Sequence, residues 1–135
     1  MDSATLSRWQ PQFLGILRIV AALLFFSHGV QKILGFPAGM SPEVMSLSWI
    51  AGVMELVGGA LLILGLFTRP VAFLLSGQMA VAYWMAHAPQ SPLPIVNKGE
   101  GAILYCFIFL YLVFAGAGAF SLDGAMRRGG PAGRL

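Results

Sequence analysis

The chain has 135 residues, of which 58% are hydrophobic and 10% charged, with a formal net charge of +3 and a mean hydropathy of +0.81. Ordinary soluble domains carry roughly 25% charged residues, so the composition excludes a soluble fold and leaves no room for a separate nucleotide-binding or extramembrane catalytic domain. The basic residues are scattered, which argues against nucleic acid as a partner, and the single cysteine, Cys106, excludes an internal disulfide and C-x-x-C thiol chemistry.

Residues 1–12 form a short polar lead in which Trp9 suits a membrane interface. Four apolar stretches follow, at residues 13–34, 47–67, 71–88 and 102–120. Each runs about 18–22 residues, close to the roughly 20 that a helix needs to cross the hydrocarbon core. The expected fold is all-α: an integral-membrane antiparallel bundle of four transmembrane helices, forming one domain over residues 13–123. The first stretch is longer than a signal peptide's apolar region and three more follow it, so it is read as retained. An up-down-up-down path groups Arg8, Arg69, Arg127, Arg128 and Arg134 on one side and leaves Lys32 and Lys98 on the other. The positive-inside rule then places the N- and C-termini in the cytoplasm.

On the first span Arg18, Ala22, Phe25, His28, Gly29 and Lys32 share an arc of roughly 120°. Side chains as costly as Arg18, His28 and Lys32 must look into the bundle or a wet cavity. In the first outer loop Ser41, Pro42 and Glu43 read as an N-cap, a first-turn proline and an acid suited to the helix dipole, so the second helix is expected to begin there. Its stripe Ala51, Glu55, Gly58, Leu62 and Gly65 is mostly small, which permits close approach of helices in lipid, and it holds the only acid deep in a span. Thr68-Arg69-Pro70 is an inner turn, with Pro70 suited to open the third helix. Tyr83, Trp84 and His87 supply that span with polar tips, and Tyr83 and Trp84 are candidate ligand contacts. Residues 89–94 form a proline-rich outer loop. Asn97 and Glu100 have capping-box spacing for the fourth helix. Ser121-Leu122-Asp123 lies at the inner surface, and residues 124–135 read as a disordered basic tail.

His28 and Glu55 lie at similar depth, roughly 10 Å in from the outer boundary at 1.5 Å per residue. They can meet across an antiparallel helix pair, with Lys32 one turn nearer the outer surface. A carboxylate beside an imidazole in lipid can relay protons or hold a polar headgroup such as that of a quinone. The same pair can instead serve only to keep two helices in register. Arg18 either snorkels to the inner face, pairs with Asp123 or grips an anionic group. Arg69 with Asp123 reads as an inner salt-bridge layer and Asn97 with Glu100 as a cap, all four being structural polar residues. His28 and His87 are offset by about one helical turn and lack the spacing of a haem or zinc ligand set, so no metal site is expected.

The ordered set Arg18…His28-Gly29-Val30-Gln31-Lys32, Glu55-Leu56-Val57-Gly58-Gly59, Gly65-Leu66-Phe67-Thr68-Arg69, Asn97-Lys98-Gly99-Glu100 and Gly116…Gly118…Ser121-Leu122-Asp123 resembles the DoxX family of membrane proteins. Each piece is short, and it is their order and spacing over about residues 13–123 that make the match. The resemblance implies a small multi-pass four-helix protein of the bacterial cytoplasmic (inner) membrane. It also implies association, as in some relatives, with quinone-linked sulfur oxidation or membrane oxidoreductase complexes.

The leading expectation is an accessory or quinone-interacting subunit of a membrane oxidoreductase system. His28 and Glu55 would be its proton-handling pair, Lys32 a headgroup contact and Arg18 an inner anchor. No intrinsic cofactor is evident, so the electron carrier would be a bound quinone or belong to a partner subunit. The rival readings are a non-catalytic membrane scaffold or assembly factor, and a binder or transporter of a small lipophilic molecule working as a homo-oligomer. The residues leave open whether the chain is an enzyme.

Overall fold

The structure is a computed structural model that describes residues 2–39 and 42–129. Its elements are helices: α1 (Ser3–Leu34), α2 (Leu47–Leu64), α3 (Thr68–Ala82) continuing into a π-helical turn (Tyr83–His87), α4 (Pro94–Asn97), α5 (Glu100–Ala115) and α6 (Leu122–Gly129). Among the described residues there is no strand. Two of the helices, α1 and α2, are long and apolar enough to cross a membrane. Large apolar side chains such as Phe13, Leu23, Leu24, Phe73, Leu74, Leu104 and Phe114 point outward, a distribution that suits hydrocarbon as the surrounding medium.

Most helix ends are set by local chemistry. Asp2 caps α1 by accepting the Ala4 N–H at 3.3 Å, and Gly35 ends it in the left-handed conformation. The polar lead is thus helical from Ser3 and continuous with the first span. Ser46, not the Ser41-Pro42-Glu43 sequence, starts α2: its hydroxyl accepts the Trp49 N–H at 3.2 Å. Residues 43–46 instead form a turn closed by the Ser46 N–H on the Glu43 carbonyl, and Ser41 lies outside the described residues.

The helices form antiparallel pairs, α1 on α2 and α3 on α5, with α2 against α3 joining them. The first pair is very close. A Cβ at Gly29 would lie 2.5 Å from the Leu56 backbone nitrogen, and one at Gly59 would lie 3.0 Å from the Phe26 Cα. Only glycine permits that separation. The core between the pairs holds Ala22, Phe25, Leu62, Leu75, Phe109 and Leu112. Phe25 meets Phe109 edge to face with centroids 5.0 Å apart, which ties the middle of α1 to α5.

The sequence expectation of disorder from residue 124 does not hold for its first part. Ser121 caps α6 through the Gly124 N–H at 3.0 Å, Asp123 sits in the first turn, and Arg127 and Arg128 sit in the last. Each charge is at the dipole end that stabilises it. The remainder of that tail, residues 130–135, lies outside the described residues.

Candidate functional site

The close α1–α2 pairing decides which side chains meet. Gly29 packs on Leu56 and Glu55, so the carboxylate of Glu55 projects beside the next turn of α1. Side chains on a helix lean toward its N-terminus, and Lys32 leans back over that turn. Its Nζ lies 2.8 Å from Glu55 Oε1, with the carboxylate side chain 4% and the lysine side chain 22% exposed. This is the one salt bridge among the described residues. Glu55 Oε2 is buried and accepts no hydrogen bond from any described residue.

His28 was expected to face Glu55, but the carboxylate's partner is Lys32. Position 28 lies one residue, about 100°, around the helix from the contact line at Gly29. From there the His28 ring turns toward α5, edge-on to Tyr105 with centroids 6.3 Å apart. The ring still shares a cavity with the ion pair. That cavity, of about 310 Å3, is lined by Phe25, His28, Lys32, Glu55, Met79, His87, Lys98 and Tyr105, with small residues between them. Its ionisable wall therefore carries one carboxylate, two lysines, two histidines and one tyrosine. A second cavity of about 550 Å3 lies on the other side of the same ion pair, walled by Ile50, Ala51, Met54, Gln78, Val81 and Met85 from α2 and α3 and the π-helical turn. The ion pair is common to both.

Tyr105, His87 and Lys98 are wall residues outside the expected set of proton-handling and ligand-binding side chains. Positions 101, 102 and 105 line the cavity from one face of α5, and their i, i+1, i+4 spacing is the signal for Tyr105. Lys98 sits in a turn outside the helix and His87 in the π-helical turn, where helical periodicity gives no such signal.

Asn97 builds the floor of the loop between the π-helical turn and α5. It is buried, donating through Nδ2 to the Ser91 carbonyl at 2.9 Å and to the Tyr83 hydroxyl at 3.3 Å, and accepting the Gly99 N–H on Oδ1 at 2.8 Å. Its own carbonyl lies 2.9 Å from His87 Nδ1. A carbonyl can only accept, so this contact places the ring hydrogen on Nδ1. The expected capping box with Glu100 is not made. Asn97 closes a tight turn at Lys98 instead, and Glu100 is an exposed first residue of α5. Tyr83 belongs to this loop cluster, stacked at 6.5 Å on His87, and Trp84 faces outward at 70% exposure. Neither lines the cavity around Lys32 and Glu55.

At the opposite end of the bundle the expected salt-bridge layer is absent among the described residues: Arg69 and Asp123 serve helix ends, and Arg18 serves the loop between α5 and α6. Arg18 is fully buried, neither snorkelling nor paired in a salt bridge with Asp123. Its guanidinium donates to the carbonyls of Ala117, of Ala119 at 3.4 Å and of Phe120 at 2.7 Å. Arg69 donates to the Val113 and Phe114 carbonyls at the end of α5, each at 2.7 Å. Asp123 accepts the Phe67 and Thr68 N–H groups at 2.9 Å, capping α3 from a distant part of the chain. Burial works to raise the Asp123 carboxyl, yet these N–H groups and the nearby Arg127 charge outweigh it and hold the group below its usual range. Helix termini leave such backbone groups unpaired, and in a low-dielectric medium leaving them so is costly. Three of the five N–H donors of Arg18 are thus engaged by backbone carbonyls, and Nε is buried and without a partner among the described residues.

The DoxX family model matches residues 13–88, more than half of the chain and inclusive of Arg18, His28, Lys32, Glu55 and Arg69. The chain belongs to the DoxX family. Among its DoxX relatives, a protein of Haemophilus influenzae described as uncharacterized is 49% identical over 127 residues, covering 87% of this chain and 93% of that protein. The inner membrane protein YphA of Escherichia coli is 32% identical over 127 residues, covering 84% and 90% respectively. No solved structure matches the chain. Family and relatives together make this DoxX chain a bacterial inner-membrane protein.

Proposed function

We propose that this DoxX protein crosses the membrane four times with both termini in the cytoplasm, and that the cavity around Lys32 and Glu55 receives the polar head of a quinone. In this reading it is an accessory subunit of a membrane oxidoreductase system. The third and fourth crossings would be made by α3 with its π-helical turn, residues 68–87, and by α5. At 1.5 Å per residue these reach roughly 30 and 24 Å, against a hydrocarbon core of roughly 30 Å. Arg8, Arg69, Arg127 and Arg128 then fall at the cytoplasmic end and Lys32 and Lys98 at the other, as the positive-inside rule requires.

The observation that carries the ligand reading is the pairing of buried Glu55 with half-buried Lys32, one carboxylate oxygen being unpartnered among the described residues, in the wall of a cavity between apolar helices. Ionisable groups at membrane depth mark sites more often than they mark structure. A volume of about 310 Å3 sits at the low end of small-molecule sites, which span roughly 300–1,000 Å3, and suits a single ring. The adjoining apolar cavity between α2 and α3 gives an isoprenoid tail a course beside the head. His28 and His87 on the same wall are the groups suited to exchange protons with the head.

The test is to purify the full chain in mild detergent, extract it with organic solvent and quantify quinones by chromatography. Near-stoichiometric quinone that falls to background in a Lys32→Met, Glu55→Leu double variant supports the reading. Background levels in the native chain overturn it. They would favour a scaffold, for which the engagement of Arg18, Arg69 and Asp123 with backbone already argues.

A further inference from the structure

Glu55 Oε2 has a consequence for which form of the head the cavity selects. An ionised carboxylate oxygen can accept a hydrogen bond and cannot donate one. Lys32 donates to Oε1 across the salt bridge, while Oε2 is buried, unpartnered among the described residues and belongs to a residue lining both cavities. A quinone presents two carbonyl oxygens, which also only accept, so it leaves Oε2 without a partner and sets oxygen against oxygen. A quinol presents two hydroxyls. Each can donate to Oε2 and at the same time accept from a cation such as Lys98 on the same wall. Sites that bury a group matched to a ligand hydroxyl discriminate strongly against analogues lacking it, because their own polar atom is then left unpaired.

Resting on the quinone-site reading above, we infer that the cavity is a site for the reduced, hydroxyl-bearing form: the ligand is a quinol, held by donation of its hydroxyl to Glu55 Oε2. No bond is made or broken in this step, and the carboxylate acts as an acceptor that positions the ring.

The experiment is calorimetric titration of the full chain in lipid nanodiscs, under anaerobic conditions, with empty nanodiscs as the blank. Three probes of nearly equal size are compared: decylubiquinol, decylubiquinone and the dimethyl ether of decylubiquinol. The expected result is binding of the quinol about tenfold to hundredfold tighter than either of the others, with the preference reduced to within about threefold in the Lys32→Met, Glu55→Leu variant. Quinone binding as tightly as quinol, or a preference that survives in the variant, overturns the inference while leaving the quinone site in place. Binding of none of the three overturns the site itself. Should the variant fail to assemble, the native chain still decides, since ether and quinol binding equally would exclude a donated hydroxyl.

Discussion

Removing Lys32 alone is expected to destabilise the bundle more than removing Lys32 and Glu55 together. At 2.8 Å and an effective dielectric of about 20, the gross attraction of the pair is roughly 6 kcal/mol. Burial opposes it: desolvation costs several kcal/mol per ion, most fully for Glu55 at 4% exposure and less for Lys32 at 22%. The two terms nearly cancel, so the intact pair adds little net stability. Lys32→Met keeps the cost of burying the carboxylate and discards the attraction, which predicts a loss of about 3–5 kcal/mol. The Lys32→Met, Glu55→Leu double variant discards both and should lie within about 1–2 kcal/mol of the native chain. The assay is reversible unfolding in mixed micelles titrated with sodium dodecyl sulfate, followed by circular dichroism for all four members of the cycle. A single variant losing less than about 1 kcal/mol, or a double variant losing as much as the sum of both singles, would refute a buried and mutually dependent pair.

Gly29→Ala places a methyl 2.5 Å from the Leu56 backbone nitrogen; neither backbone can yield locally, so the helix pair must part and stability should fall by about 1–3 kcal/mol or more, read by the same unfolding assay. Arg18→Met strips donors from the carbonyls of Ala117, Ala119 and Phe120, and a loss of about 3 kcal/mol or more is expected; a change under about 1 kcal/mol would show those carbonyls to be satisfied otherwise. Asp123→Ala removes the cap of α3, at a cost of about 1 kcal/mol at neutral pH. Because the folded Asp123 carboxyl is held below its usual range, its contribution is present above the unfolded value of about 4 and is lost as pH falls through the folded one. The native and Asp123→Ala chains should therefore converge in stability only in acid below about pH 4.

Much of the fold was legible because hydrophobic length is a coarse quantity that local detail does not disturb. The first two stretches map onto α1 and α2, and the small-residue stripe through Gly58 does face a neighbouring helix. The identity of the ionic partners was harder. His28 and Lys32 fall on one arc of α1, and which of them reaches Glu55 depends on the approach set by Gly29 and on side-chain lean, neither of which the periodicity encodes. At the end of the bundle away from Lys32 and Glu55, opposite charges at Arg69 and Asp123 suggested each other. Both instead meet backbone groups of helix termini, because an unpaired carbonyl or N–H competes for a charge as strongly as another charge does. Asn97 shows the same limit: its spacing to Glu100 matched a cap, while a positive-φ turn at Lys98 redirected its side chain to Gly99, Ser91 and Tyr83.

The chain contains only three glutamates, Glu43, Glu55 and Glu100, so carboxyl-13C-labelled glutamate gives a spectrum simple enough to follow each one in lipid bilayers. Solid-state NMR with and without decylubiquinol should move the Glu55 resonance, assigned by its disappearance in Glu55→Leu, and leave the other two in place. A Glu55 signal that stays fixed at saturating quinol would contradict the claim that its free oxygen is where the ligand binds.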